Sequence, residues 1–361
     1  MVFVCLSHFG FEYFRRFEEL PENQIIRIVT MIASPTFMLI SGMMLGLLYH
    51  TRPKGFSDAA RALAGRGIFL LTVGHALILI SCIPRAGGLS AAISRGFITD
   101  AIGVAIIVGP QVIRWLSRRE RLALALLLYC VGMLMALAWH PDGGYADSVR
   151  YLLGGPGIGD PRFNFPLLQW VAVYLGGTII GEWMGRQYLS GAAPRVERGL
   201  IQLGILGVSA GLLIKVGYLA LRSSGVLERT VDATYVLTTP LSKLPPSPAY
   251  LLFFGGLGLI MTGGLLAANR IGRLGRLIDW LSDLGRASLF AFLLQFYVYY
   301  LGFYYLRLPY SLAWPIYFAV SLFLIMLASR WWLARGWNRV FDVTRWFSGR
   351  KTPDRATDAL A

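Results

Sequence analysis

The chain of 361 residues is 56% hydrophobic and only 15% charged, with a formal net charge of +15 and a mean hydropathy of +0.58. Soluble domains carry about 25% charged residues, so the composition excludes one large soluble core and points to repeated membrane spans of roughly 20 apolar residues each. The positive charge excludes no membrane role and does not indicate nucleic acid, because Lys and Arg are spread over short loops between apolar runs.

Apolar runs predict ten membrane segments, at 1–14, 28–49, 67–83, 97–116, 121–139, 166–185, 199–221, 249–268, 285–305 and 311–333. None alternates in polarity as barrel strands of about 10 residues do. In lipid, helices satisfy their own backbone hydrogen bonds, so the expected fold is all-α: a polytopic integral membrane helical bundle of about ten transmembrane helices. The three cysteines, Cys5, Cys82 and Cys130, fall inside these runs as small hydrophobes, with no disulfide framework implied.

The first segment, MVFVCLSHFGFEYF, is too short to span and lacks the basic start and small-residue cleavage site of a signal peptide. It reads as a truncated first helix whose true start lies upstream. Residues 1–335 are expected to form one membrane domain, followed by a basic tail at 336–361. Twenty-two Lys and Arg fall on one set of connections and the tail, and eleven on the alternate set. That bias places both termini in the cytoplasm. On the outer side, the loop at 140–165 contains GGPGIGD, which lacks the Gly-Lys-Ser/Thr ending of a phosphate loop and reads as turns.

Ionisable groups at membrane depth are costly and are functional candidates by default, with helix packing or snorkelling as the alternative. His8 is either a packing residue or a general base or acyl carrier near neutral pH. His75, in RGIFLLTVGHALILIS, is either a helix–helix hydrogen bonder or a partner in that chemistry. Asp100 opens the fourth span, as an acid favoured by the helix dipole or as the carboxylate that orients an imidazole. Lys215 either snorkels or belongs to a site. Glu182 is expected to pair with Arg186 one turn on. His50 and His140 stand at span ends and read as interfacial, and Tyr299, Tyr300, Trp331 and Trp332 fit aromatic belts. No metal-ligand spacing and no nucleotide-triphosphate motif is present in the sequence.

Four stretches, in order along nearly the whole chain, carry a resemblance: TMIASPTFMLISGMMLG, NFPLLQWVAVYLGGTIIGEW, LSKLPPSPAYLLFFGGLGL and DLGRASLFAFLLQFYVYYL. Together they resemble the heparan-α-glucosaminide N-acetyltransferase-like family, within the broader membrane-embedded acyltransferases. The pair RGIFLLTVGHALIL and FITDAIGVAIIVG is similar to related bacterial acyltransferases. The resemblance implies transfer of an acyl group, commonly acetyl from acetyl-CoA, onto a sugar or glycan across the membrane. It implies a catalytic histidine in the first helix, which His8 matches. The family's Leu-Asp-x-x-Arg-Gly motif ahead of that histidine is absent, in line with a truncated first helix. Two further departures are Gln295, where the family often has His, and Gln169, where Pro is usual. Gln295 retains a hydrogen-bonding group but cannot act as a base.

The expectation is therefore an integral protein of a bacterial inner membrane acting as an acyltransferase, with no permanently bound cofactor and no metal. His8 is its centre, aided by Asp100 or His75. Arg61, Arg66 and Arg286 would meet the phosphates of acyl-CoA as donor substrate. Lys243, with Asp142 and Asp147, would face a sugar or glycan acceptor, and Lys215 and Gln295 complete the candidate binding set. Its partners are membrane lipids and the acceptor, with no nucleic acid. The rival readings are a transporter or flippase of a lipid-linked sugar and a non-catalytic membrane partner of envelope glycan assembly.

Overall fold

The computed structural model describes residues 1–86, 96–139, 141, 143–156, 165–224, 231–272 and 275–347. His140, Asp142, most of GGPGIGD and the tail from 348 onward lie outside the described residues. The protein is 85% helical, without strands among the described residues. Among the described residues, eight helical segments are long and apolar enough to cross a membrane: Pro21–Thr51, Pro53–Pro84, Ile98–Trp115, Arg118–Leu137, Ala193–Ser223, Pro248–Ile271, Ser288–Leu306 and Trp314–Ala334. The expected all-α polytopic bundle is the fold found. The two remaining predicted segments are also helices, Val2–Tyr13 and Leu167–Leu189.

The helices gather into two compact units, Met1–Ala33 with Arg61–Ser94 and Gly272–Ala361, and Ser34–Ala60 with Arg95–Ile271. In chain order they are α1 (Val2–Tyr13), α2 (Pro21–Thr30), α3 (Ala33–Thr51), α4 (Phe56–Phe69), α5 (His75–Ala86), α6 (Ile98–Trp115), α7 (Arg118–Leu137), α8 (Gly144–Leu153), α9 (Leu167–Leu189), α10 (Ala193–Ser223), α11 (Val231–Thr238), α12 (Pro248–Ile271), α13 (Gly275–Arg286), α14 (Ser288–Gln295) and α15 (Trp314–Ala334). Among the described residues, two π-helical segments interrupt this order, Leu70–Gly74 ahead of α5 and Phe296–Phe303 after α14.

In the second unit, α9 is the central post. It packs against α6, α7 and α10, and its contact with α3 is made backbone to backbone. A β-carbon added at Gly42 would meet the Tyr174 carbonyl, one at Gly46 the Thr178 carbonyl, one at Gly177 the Leu39 carbonyl and one at Gly181 the Met43 carbonyl. Both helices thus present glycines four residues apart. Lipid offers no hydrophobic drive for helix association, so this close approach, with its dispersion contacts, is what binds them. The same device joins α10 to α12, where Gly204 and Gly256 each lie under the other's carbonyl. The outward faces of α7 and α10 expose Leu122, Leu126, Leu134, Leu206, Leu213 and Val216, chains suited to lipid tails.

The buried charge on α9 corrects one expectation. Glu182 does not turn to Arg186 on its own helix. Its Oε1 accepts from Arg118 Nε at 2.6 Å, and its Oε2 is paired with Arg121, which also donates to the Thr178 hydroxyl at 3.1 Å. Both arginines come from the first turns of α7. The reason is burial: Glu182 is 7% and Arg121 2% exposed, and a desolvated carboxylate needs both oxygens matched, which the two guanidiniums do with one oxygen each.

In the first unit, α1 packs against α2, the 288–303 segment and α15. Phe9 lies among Tyr13, Tyr299, Phe303 and Phe318, with ring centroids 5.2–6.0 Å away. Tyr13 donates its hydroxyl proton to the Pro309 carbonyl at 3.1 Å and accepts from the Ser311 amide at 3.0 Å. The amphipathic α13 turns Trp280 onto Phe323 of α15, while Arg330 lies 4.6 Å over the Trp280 ring and pairs with Asp283 at 3.2 Å.

Two outcomes follow. Gly181→Ala drives a methyl group into the Met43 carbonyl, an overpacking that costs about 1–3 kcal/mol. Thermal unfolding in detergent should show a lowered midpoint, whereas Gly176→Ala, with open space around its β position, should leave it unchanged or raised. Glu182→Ala strands Arg121 as a buried charge and should cost about 3–5 kcal/mol; adding Arg121→Met should recover most of that loss. A single variant as stable as wild type would mean the pair is hydrated.

Candidate active site

His8 sits two turns into α1, half-buried, inside a cage of three rings. Their centroids stand 6.2 Å (Phe292), 4.7 Å (Phe296) and 5.3 Å (Tyr300) from the imidazole. The three belong to one stripe at four-residue spacing that runs from α14 into the π-helical segment, and they touch one another in series at 5.3 and 5.0 Å. The apolar residues read as a membrane span thus serve a second purpose, as walls that keep water from one face of a titratable ring.

Gln295 is the residue just before Phe296, at the junction of α14 and the π-helical segment. It is 0% exposed, and neither atom of its amide finds a hydrogen-bond partner among the described residues. Leaving a buried polar group unsatisfied costs about 1–3 kcal/mol. Packing alone would favour a leucine here. The π-helical segments flank two of the candidate polar residues: one begins directly after Gln295, the other ends directly before His75. Such widened turns are rare and concentrate at functional sites. The one that follows Gln295 is tied to the helix that begins at His75, since Tyr297 donates to the Leu77 carbonyl of α5 at 2.9 Å.

The first unit therefore gathers His8, His75, Gln295, Arg61, Arg66 and Arg286. Arg61 and Arg66 lie on α4, the former exposed and the latter half-buried. Arg286 ends α13, exposed, with its guanidinium 4.0 Å from Asp283 and its carbonyl accepting from Asn338.

The second unit holds Asp100, Lys215 and Lys243. The Asp100 carboxylate accepts from the Phe97 amide at 2.8 Å, closing the first turn of α6, so it does the capping work that its position allows. Lys215 is held between two rings, its ammonium 5.0 Å from Tyr218 and 4.9 Å from Tyr235. Tyr235 comes from α11, a short helix between two of the predicted spans. Lys243 lies in the turn before α12, its ammonium 5.3 Å from the Phe165 ring. Desolvation there pushes its pKa down from 10.5 to about 8. Asp147 is taken locally by Arg150 at 3.0 Å.

Gln169, the other departure noted in the sequence, is fully buried and donates to the Gly154 carbonyl at 3.0 Å. Its amide lies against Gly132, where any β-carbon would collide with it. It thus ties α9 to the end of α8, and its role is architectural. Among the described residues no three metal-ligating side chains of the His, Cys, Asp and Glu types come together.

Chemically, the first unit offers one imidazole with a protected face and one buried amide with an uncommitted donor and acceptor. A base or nucleophile beside a carbonyl-binding donor is the minimum that acyl transfer needs. No curated protein and no solved structure matches the chain. The family model of the heparan-alpha-glucosaminide N-acetyltransferase catalytic domain does match, over residues 1–204. That match covers α1 with His8, the α3–α9 glycine contact and the Glu182 pair, and it covers more than half of the chain, so the protein belongs to the heparan-alpha-glucosaminide N-acetyltransferase family, as a polytopic membrane transferase.

Proposed function

We propose that the protein moves an acetyl group from acetyl-CoA in the cytoplasm to a sugar or glycan on the outer side of a bacterial inner membrane, with both termini cytoplasmic. Residues 1–335 act as the transferase domain and 336–361 as a basic tail. The observation that carries this reading is the caged imidazole of His8 beside the segment that buries Gln295. His8 takes the proton of the acceptor hydroxyl or amine as it attacks the thioester carbonyl, or takes the acyl group first itself. In either route the carbon–sulfur bond breaks and the CoA thiolate leaves. Gln295 gives its amide N–H to the oxygen on which charge develops. His75 stands ready as a polar neighbour behind the other π-helical segment, while Asp100 holds the first turn of its helix.

Arg61, Arg66 and Arg286 lie on the side that carries most Lys and Arg, and their charge draws the anionic donor to that face. Lys215, near the C-terminal end of α10, and Lys243, in the turn before α12, serve the acceptor. The aromatic contacts that hold both lysines leave their charge unneutralised by any carboxylate among the described residues, which suits a polar, oxygen-rich ligand.

Transfer from radiolabelled acetyl-CoA in purified membranes tests the reading. His8→Ala should lower transfer by about 100- to 10,000-fold, the usual share of a general acid–base group. Label that reaches neither glycan nor protein in the wild type, together with accumulation of unmodified lipid-linked sugar in a deletion strain, would instead favour a flippase. Gln295→Leu should reduce transfer by roughly 100-fold while raising the unfolding midpoint, because the leucine removes an unsatisfied amide. A drop in both would mean the amide is structural. For Lys243 the sign is set by its lowered pKa: the amine is charged below about pH 8 and neutral above it. Amine acylation of Lys243, read by peptide mass spectrometry, should therefore rise to half its maximum near that pH. A midpoint near 10 would show a fully hydrated amine.

A further inference from the structure

The α3 helix ends at Thr51, a short 3-10 turn follows at Pro53–Gly55, and α4 begins at Phe56. Beside this corner, the last turn of α6 brings up Arg114. Between them is an open cleft of about 460 Å³ lined by Tyr49, His50, Pro53, Phe56, Ser57 and Arg114. Its size falls in the range of roughly 300–1,000 Å³ that holds small-molecule ligands. The interior of the second unit explains why the cleft is firm. Tyr49 and Phe56 meet edge to face at 4.8 Å, and His50 packs against Gly185 of α9, where a β-carbon would come within 3.0 Å of it.

The chemistry of the lining is one-sided. It contains a guanidinium, an imidazole, a hydroxyl and two aromatic rings, and no carboxylate. Arg114 donates to the Ser57 hydroxyl at 2.9 Å and lies 5.1 Å over the Phe56 ring. Other arginines of the same unit are neutralised: Arg118 and Arg121 by Glu182, Arg270 by Glu197 at 2.8 Å and Arg150 by Asp147. Arg114 has no carboxylate partner among the described residues. It is fixed in place by groups that leave its charge intact.

The geometry points to this cleft as the seat of a phosphorylated aromatic heterocycle, namely the 3′-phosphoadenosine end of the CoA donor, with Arg114 and His50 on the phosphate and Tyr49 or Phe56 against the adenine. This rests on the donor reading above. Three features favour it over a bare lipid headgroup. The rings offer a stacking face, worth about 1–3 kcal/mol per base in nucleic-acid complexes. The guanidinium can take a phosphate through two N–H groups. The flanking Arg52 and Lys54, both exposed, mark the side on which the charge bias places acyl-CoA. The assignment differs from the sequence expectation, which looked for phosphate partners at Arg61, Arg66 and Arg286. It involves no chemical step: the residues bind and select the donor.

The test is equilibrium binding of CoA and of 3′-dephospho-CoA to the full-length protein in nanodiscs, by calorimetry. Wild type should bind CoA at least tenfold more tightly than 3′-dephospho-CoA. Arg114→Ala should erase that difference by weakening CoA alone. Equal affinity of wild type for the two ligands, or an Arg114→Ala protein that keeps the preference, overturns the proposal. So does a cleft that serves lipid: Arg114→Ala would then lose thermal stabilisation by phosphatidylglycerol relative to phosphatidylcholine discs and retain CoA binding. Should the variant fail to fold, wild type photolabelled with 8-azido-CoA answers the same question. Label in the 49–57 peptide supports the site, and label confined elsewhere refutes it. Because His8→Ala protein must still bind CoA here, a failure of transfer chemistry and a failure of this site give different results.

Discussion

Helices in a bilayer gain nothing from hiding apolar surface from one another, since lipid is equally apolar. What holds the second unit together is therefore closeness, and closeness is set by glycine. Along α3 and α9 the glycines alternate so that each helix lays its bare backbone against a carbonyl of the other. This contact sets where α9 stands, and α9 in turn carries Gln169, Thr178, Glu182 and Gly185. Gln169 holds the end of α8, Glu182 holds the start of α7, and Gly185 gives His50 a flat wall. The cleft at the end of α3 thus inherits its shape from a packing decision made one and two turns earlier in both helices.

Once α9 is enclosed, its polar residues follow. A helix facing lipid would pay for Gln169 and Glu182 with unsatisfied groups. A helix surrounded by partners can meet most of their needs: the Gln169 N–H reaches the Gly154 carbonyl and Glu182 meets two guanidiniums, while Gln169 Oε1 has no hydrogen-bond partner among the described residues. This also explains why α9, though 23 residues long, is not among the segments apolar enough to cross a membrane on composition alone. Its neighbours α7 and α10 carry the exposed leucines instead.

The sequence made the helices legible because hydropathy over 20 residues is a large and redundant signal. His8 stands out in the sequence because an imidazole is costly in an apolar helix. What the sequence could not disclose was pairing between helices. Glu182 has Arg186 at the right spacing on its own helix, yet it is matched by Arg118 and Arg121, more than sixty positions away. Nor could it disclose the cleft. His50 looked interfacial, and nothing local in the sequence sets Arg114 apart from the other arginines near span ends. Only the fold brings a span end, a turn and a second span end together. The aromatic cage was half visible: Phe292, Phe296 and Tyr300 recur every four residues, but a belt of aromatics at the membrane surface gives a similar pattern. The π-helical segments had no distinctive local signal: neither LLTVG nor FYVYYLGF contains a proline, and the single glycine in each is a residue that α-helical spans also carry.

The protein handles its cations in two ways, and the difference separates architecture from function. Where a carboxylate answers an arginine, as at Glu182 and Glu197, the charge is cancelled and the pair becomes a fastening between helices. Where an aromatic ring answers the cation, as at Lys215, Lys243 and Arg114, the side chain is held but its charge is not cancelled. A ring face attracts a cation by its quadrupole, at about 0.5–1 kcal/mol in exposed sites, which is enough to restrict the side chain and too little to compete with an incoming anion. Gln295 follows the same logic without charge, being positioned by packing while its amide stays uncommitted. Groups that are fixed but unsatisfied are costly to a fold that has no use for them. In the reading proposed above, Gln295, Arg114 and Lys243 are the groups that would meet the oxyanion, the donor and the acceptor.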